Sequence, residues 1–447
     1  MKKYIVVLLL FPFAATAQKN YPQLLDQYMQ AQVKFKGFTG SVLVMQKGKV
    51  VLRKGYGFAD REWNIPNTPE TKYELGSLTK QFTAASILQL SEQGKLNLDD
   101  KLSKYLPNFP KGDSVTIHML LNHTSGIANY TAQPQFGNLA TLHLSKDSMI
   151  SFFGSKPYTS SPGTKYQYTN SGYFLLGYII EKASGLSYSD YLQKNIFDKL
   201  GMSNSFLNKP DSVLAMRAHG YDQKGKKTAN ADFITMDWPF SAGAIISTVD
   251  DLYKWDRALY GTTVLSEASK QKMFTPGKGN YGYGFIIDSL ETHPRIWHNG
   301  SIPGFITNIA RYINDDVCVI VLANTIVIQN NTLPITDVLA GGLAGILFNQ
   351  DVEFPYEHKE VKIDPSLLDK FVGKYNAGLT LEVIKKDNKL YRHRDGSPDI
   401  ELKPESNTKF FYADDSNRQL EFELDASGKV VKIWFINNEQ RGEMKKL

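Results

Sequence analysis

The serine hydroxyl three residues ahead of a lysine in Ser77-Leu78-Thr79-Lys80 is the pairing in this chain best suited to chemistry. Residues i and i+3 share one face of a helix, so the Lys80 amine can reach the Ser77 oxygen and take its proton. That would make Ser77 a nucleophile for acyl transfer without a histidine. The same spacing recurs at Ser269/Lys272 and Ser406/Lys409, and context separates the three. Ser269 lies in a charged stretch that reads as an exposed helix. Ser406 lies in a turn between two strand-like runs. Ser77 follows Gly76 and leads into Phe82, Ala84, Ala85, Ile87, Leu88 and Leu90. These cover more than one helical face, so the helix is expected to be buried, with Gly94 as its stop. A charged amine in a buried helix is costly unless it has a partner or a task.

Two further clusters could serve that serine. Tyr168-Thr169-Asn170 places a phenol and an amide on a short loop. A phenolate-like Tyr168 can move protons, and the Asn170 amide can hold Lys80 or a substrate carbonyl. The plainer reading is a turn with ordinary aromatic packing, and Tyr312-Ile313-Asn314 is expected to be only that. His298-Asn299-Gly300-Ser301 is the one His-x-Gly of the chain and stands just before a set of returning strands. Gly300 would let a substrate backbone approach a strand edge. The N–H groups of Ser301 and Ser77 could together form an oxyanion hole. His298 could set a donor or a positive charge beside a substrate carboxylate, against the plainer reading of a structural histidine.

The elements that must position these groups are legible in outline. An amphipathic helix is expected around Leu24 to Met29, then a hairpin of Ser41–Met45 and Val50–Arg53. Ser77 to about Tyr260 is mostly helical in pattern. Strand patterns return at Tyr281–Ile287, Phe305–Tyr312 and Val317–Ala323. One antiparallel sheet built from both ends of this region, beside a helical lobe, accounts for the order. Val338–Phe348 reads as a helix packed on that sheet. Past a break at Asp351–Pro355, short strands and polar turns suggest a small antiparallel barrel or meander. Asp250 and Asp251 are expected to cap the helix near Leu252. Tyr221 could line the cleft, although a loop aromatic is the plainer reading, and His123 is expected to brace a loop.

Composition narrows the field. The chain has 447 residues, enough for two domains, and a formal net charge of +6 without a dense Lys/Arg run, so no nucleic-acid footprint is read. The opening residues read as a cleavable secretory signal: basic Lys2-Lys3, an apolar Ile5–Phe13 core and Ala15-Thr16-Ala17 as the cleavage site. The single cysteine, Cys318, lies in an apolar strand pattern and reads as buried. Neither Gly-x-Ser-x-Gly nor His-Glu-x-x-His occurs, which argues against a nucleophile elbow and a zinc hydrolase.

In this order the three clusters resemble the serine β-lactamase-related hydrolases, which include class C β-lactamases, DD-carboxypeptidases, D-aminopeptidases and esterases. Leu120-Leu121-Asn122-His123-Thr124-Ser125-Gly126 and Ser241-Ala242-Gly243 resemble other stretches of that family, and the resemblance spans roughly Phe38 to Phe348. It implies an α+β fold, an antiparallel sheet flanked by helices with an inserted helical lobe, and a small C-terminal β domain. The expected division is residues 1–17 as signal peptide, 18–355 as the hydrolase domain, and 356–447 as linker and barrel-like domain. The resemblance implies Ser77, Lys80 and Tyr168 as catalytic residues, with Asn170, His298, Gly300 and Ser301 binding substrate. No metal or other cofactor is called for. The expected function is an exported, periplasmic or secreted serine acyl hydrolase on amides or esters, either a peptidase or an esterase. Its substrate would be a small molecule or a peptide, including peptidoglycan-derived ones. No nucleic-acid partner and no membrane span in the mature chain are expected, and the oligomeric state is left open. His298 stands where class C enzymes carry lysine, which leans away from the β-lactamase alternative. A non-catalytic penicillin or peptidoglycan sensor is the alternative of a different class. Retention of Ser77, Lys80 and Tyr168 favours an enzyme.

Overall fold

A computed structural model describes residues 19–209, 213–224, 227–327, 334–378, 380–437 and 440–447. The expected signal segment, 1–17, lies outside the described residues.

The chain opens with helix α1 (Tyr21–Lys36), which ends at Gly37 in the left-handed region. Strands β1 (Gly40–Gln46) and β2 (Lys49–Tyr56) follow as a hairpin. Its two-residue turn is Lys47-Gly48, both at positive φ, the conformation that matches the twist of a tight hairpin. After the helical region come β3 (Ile286–Leu290), β4 (His293–Ile302), β5 (Phe305–Tyr312) and β6 (Val317–Ala323). The six strands form one sheet in the order β3-β4-β5-β6-β1-β2. The seam between its two halves is the antiparallel pairing of β1 with β6, from Gly40↔Ala323 to Gln46↔Val317.

Period-two alternation sorts the central strands between two cores. Leu43, Met45, Cys318, Ile320 and Leu322 join the core shared with the helical lobe. Val42, Val44, Val317, Val319 and Val321 face the other side, where α1 and a late apolar helix (Ile335–Leu347) cover the sheet. Both faces are covered, which is why β6 reads as an unbroken apolar run.

In the helical lobe, α2 (Thr79–Glu92) is buried at every position from Thr79 to Leu90, as a helix apolar all round should be. It packs against α3 (Asn170–Ser184). Helix α4 (Val249–Ala258) starts behind Thr248, whose side chain accepts from Asp251 N. The cap is thus Thr248, in place of Asp250 or Asp251. Asp250 instead pairs with Arg53, and buried Asp251 accepts from Asn204 N, Ser205 and Lys254. The late helix is α5, and Asp337 in its first turn accepts from Asn299 and Asn308, each at 2.7 Å, tying it to β4 and β5.

Four local expectations need correction. The strand expected from Tyr281 begins only at Ile286, because Gly284 takes φ +78° and its Cα passes too close to the Lys80 carbonyl for any side chain. His298 does not precede the returning strands but lies within one, β4. Asn170 is not a loop residue but the first residue of α3. Ser269 is on a helix as expected, yet both it and Lys270 are buried. One motif is also present without its fold. Gly277, Gly279 and Gly282 carry the Gly-x-G-x-x-G spacing, but the segment is a 3-10 turn leading into an isolated bridge, not the strand–turn–helix that cradles a dinucleotide.

Eight C-terminal strands, β7 (Gly373–Asn376), β8 (Thr380–Lys386), β9 (Lys389–His393), β10 (Ile400–Pro404), β11 (Lys409–Tyr412), β12 (Arg418–Leu424), β13 (Val430–Asn437) and β14 (Gln440–Lys446), close into an antiparallel barrel filled by its own apolar core. The segment before it is tied to the barrel: His358 and Tyr356 both bond Glu405, and Val361 N donates to Pro404 O. Among the described residues, no helix is long and apolar enough to cross a membrane and no side-chain cluster could hold a metal ion.

Candidate active site

Ser77 sits on a single 3-10 turn, Gly76–Leu78, that feeds into α2. The turn lies hard against β4. Gly76 is at φ +55°, and a Cβ there would stand 2.8 Å from Ser301 N. A Cβ on Gly300 would stand 2.0 Å from Leu75 O and 2.4 Å from Thr307 Oγ1. Glycine at both positions lets two backbones meet, which brings the Ser77 and Ser301 amides to one place. Ile302 and Phe305 flank the two-residue Pro303-Gly304 turn, so they form the hydrogen-bonded pair. Ser301 then falls at the alternate position, and its N–H points away from β5. β3 pairs with β4 only as far as Trp297, so the edge beyond is open to Ser77.

Gly300→Ala should cost about 1–3 kcal/mol through overpacking against two backbones. It should also slow any reaction at Ser77 by spreading the two amides. Chemical denaturation alongside kinetics checks both. Wild-type stability and rate in the variant would show that the approach is not tight.

The serine oxygen lies between two side chains. Lys80 Nζ is 2.9 Å away, and the Tyr168 hydroxyl donates to it at 2.8 Å. Lys80 also donates to Asn170 Oδ1 and to the Ala242 carbonyl, both at 2.8 Å. Among the described residues, none of its hydrogen-bond partners is a carboxylate. It is fully buried, and desolvation holds its pKa well below 10.5. Deprotonated, it would keep two N–H groups for Asn170 and Ala242 and turn a lone pair to the Ser77 hydroxyl. Tyr168 is shifted the other way, its phenol pKa raised by desolvation. A phenol at rest, not the phenolate-like group expected, therefore faces Ser77. The two shifts run in opposite directions beside one oxygen, toward a free amine at Lys80 and a protonated phenol at Tyr168.

His298 departs from expectation more fully. It is buried, with Tyr281 OH 3.0 Å from Nε2 and the Asn299 carbonyl 2.5 Å from Nδ1. The carbonyl can only accept, so Nδ1 carries the proton and Nε2 accepts from Tyr281. Burial, the largest cause, holds its pKa below 6.5, and a charge on Lys80 would lower it further, to about 3. The ring is neutral with both nitrogens engaged, so it offers no positive charge to a carboxylate. Tyr221 is likewise buried, starting a short strand and accepting from Arg61 N.

His123 matches its expected bracing role and adds a detail. Its Nδ1 accepts from Thr169 N at 3.2 Å, its carbonyl accepts from Gln167 N at 2.8 Å, and its ring centroid lies 4.3 Å from that of Tyr168. It clamps the loop on both sides of Tyr168. His123→Ala should lower kcat by up to about 10²-fold through misplacement of the phenol, with KM little changed. His123→Asn, which can present an acceptor at the Nδ1 position, should recover part of the loss. Equal rates for all three proteins would remove His123 from this role.

A cavity of about 160 Å³ opens from Ser77, with Asn170, Tyr130, Trp238, Ser301, Ile302 and Pro303 in its wall. The sequence reading missed the Ala242 carbonyl, a backbone group with no side-chain signature. Its only trace was the Ser241-Ala242-Gly243 stretch.

Residues 24–327 match the family model described as Beta-lactamase, well over half of the chain. The chain belongs to this family. Penicillin-binding protein 4* of Bacillus subtilis (strain 168) is 32% identical over 403 residues, which cover 84% of this chain and 88% of that protein. Among solved structures, the octameric penicillin-binding protein homologue from Pyrococcus abyssi is 27% identical with a TM-score of 0.67, covering 95% of this chain and 99% of its own. D-amino acid amidase from Ochrobactrum anthropi SV3 has the same TM-score at 22% identity, over 74% of this chain and 99% of its own, a likeness of fold. The fold of this Beta-lactamase family member is therefore the β-lactamase/transpeptidase-like one expected, with the closed C-terminal barrel beside it.

Proposed function

We propose that this protein is an exported serine acyl hydrolase that cleaves amides or esters through an acyl-enzyme. The observation that carries the reading is Ser77 Oγ held between Lys80 Nζ at 2.9 Å and the Tyr168 hydroxyl at 2.8 Å, with no carboxylate bonded to Lys80 among the described residues. Ser77 Oγ attacks the substrate carbonyl carbon while neutral Lys80 takes its proton. The amides of Ser77 and Ser301 receive the oxyanion. Tyr168 gives its proton to the departing nitrogen or oxygen as that bond breaks, and is reprotonated from the Lys80 ammonium. Asn170 and the Ala242 carbonyl hold Lys80 in place. Water then enters, loses a proton to the same relay and releases the acid, restoring Ser77. Residues 18–355 would carry this chemistry and 356–447 the linker and barrel.

Histidine at position 298, where class C β-lactamases carry lysine, supports a peptidase or esterase over a β-lactamase. A penicillin-binding relative supports a cell-envelope setting and peptidoglycan-derived peptides as candidate substrates. Parallel assays with a D-Ala-D-Ala peptide, a p-nitrophenyl ester and a chromogenic cephalosporin test the assignment. Turnover of the peptide or the ester should far exceed that of the cephalosporin. Preferential cephalosporin hydrolysis would overturn the choice, and a long-lived adduct without turnover would favour the sensor.

A further inference from the structure

A second cavity, of about 500 Å³, lies next to the one that opens from Ser77, and Ile234 and Pro303 belong to the walls of both. On the proposed mechanism, the leaving group must lie on the Tyr168 side, since Tyr168 protonates it. Tyr168 is not in the wall of the 160 Å³ cavity, whereas Ile302 and Pro303 are, so that cavity receives the acyl group. Its lining is largely apolar, with Tyr130, Phe136, Ile234 and Trp238. An acyl chain too long for it would pass Ile234 and Pro303 into the second cavity.

The second cavity is of a different character. Glu74, on the strand that leads into the Ser77 turn, is only 7% exposed and forms part of its wall. Both of its hydrogen bonds, from Arg217 at 2.6 Å and Asn208 at 3.2 Å, reach Oε1. Oε2 has no hydrogen bond among the described residues. Asp60 and Asp232 add two carboxylates to the wall, against one further cation, Lys209. Arg217 offsets Glu74, which leaves the wall with an excess of negative charge and a buried carboxylate with one unused oxygen. A cavity continuous with an acyl pocket but lined this way suits a chain whose far end is a cation.

We propose that the second cavity is a distal acyl subsite that binds the ammonium end of an extended acyl chain, through Glu74 and Asp232. This rests on the serine-hydrolase reading and narrows it. Substrates would be amides or esters whose acyl part is apolar near the carbonyl and carries a primary amine further along.

The test uses p-nitrophenyl esters of hexanoic and octanoic acid ending in a methyl, an ammonium or a carboxylate group. For at least one chain length, kcat/KM for the ammonium ester should exceed that for the methyl ester by about tenfold or more, and the carboxylate ester should be the poorest. Asp232→Asn and Glu74→Gln should each pull the ammonium-to-methyl ratio toward unity, and a general fault cancels in that ratio. If Glu74→Gln does not fold, exposed Asp232 carries the test. Equal rates, or preference for the carboxylate, would overturn the subsite. If wild-type protein cleaves none of the esters, the hydrolase reading fails separately. Calorimetry of octylammonium and octanol with Ser77→Ala protein then decides the subsite: ammonium binding weakened by Asp232→Asn sustains it, and equal or absent binding of the two overturns it.

Discussion

A fluorophosphonate adds one covalent group to this protein, on the peptide that contains Ser77, and Ser77→Ala protein takes up none. That is the result expected from a serine oxygen 2.9 Å from a desolvated amine and beside two converging amides. The substitution removes the only atom placed to form the acyl bond, so the loss should approach that of other serine nucleophiles, about 10⁶-fold in kcat. Folding is a minor concern. Ser77 is half-buried, and the turn that carries it is shaped by Gly76 and Gly300 rather than by its hydroxyl. Intact-mass spectrometry with peptide mapping gives the answer directly. Labelling at another residue, or turnover undiminished in Ser77→Ala, would sink the assignment.

The second large effect is at Lys80. Lys80→Ala should slow acylation by about 10²–10⁴-fold, the range a positioned general base supplies. Lys80→Arg should do no better, because a guanidinium keeps its proton at every working pH. The pH profile carries a sign. The amine accepts only when unprotonated, so acylation is lost as pH falls through its folded-state pKa. Burial places that value well below 10.5. The rate should therefore hold its plateau well below the ordinary lysine value of 10.5 before it falls on the acid side. The same shift has a stability consequence. Between the lowered value and 10.5 the unfolded chain binds a proton that the folded chain does not, so this residue's contribution to stability rises with pH across that window. Stopped-flow acylation against pH decides the matter. An acid limb near the ordinary lysine value would mean that Lys80 stays charged and another group is the base.

Ser77, Lys80, Tyr168 and Asn170 were legible because their chemistry resides in side chains whose spacing survives in one dimension. The structure joins all four by hydrogen bonds. The central strands were legible because both faces are buried, which leaves an apolar run. β4 was not. Its stretch from His298 to Ile302 faces the site, where close approach requires Gly300, and Asn299 on its other face bonds to Asp337, so no apolar alternation marks it. The state of His298 was hidden for another reason: its lowered pKa comes first from burial and its Nε2 is engaged by Tyr281, neither of which a local pattern encodes. The Glu74–Arg217 pair was hidden because its partners are far apart in the chain.

The sheet that joins the two ends of the hydrolase region also dictates when the site can exist. β1, already paired with β2, finds its second partner only in β6, and Ser301 reaches Ser77 through the hairpin of β4 and β5 next to it. A growing chain that already contains Ser77, Lys80 and Tyr168 still lacks the strand that supplies the second amide. Pairings this distant in sequence close late and slowly. The nucleophile is therefore made early and armed last, and a chain stopped short of Ser301 carries all its acid–base groups without the second amide for the oxyanion.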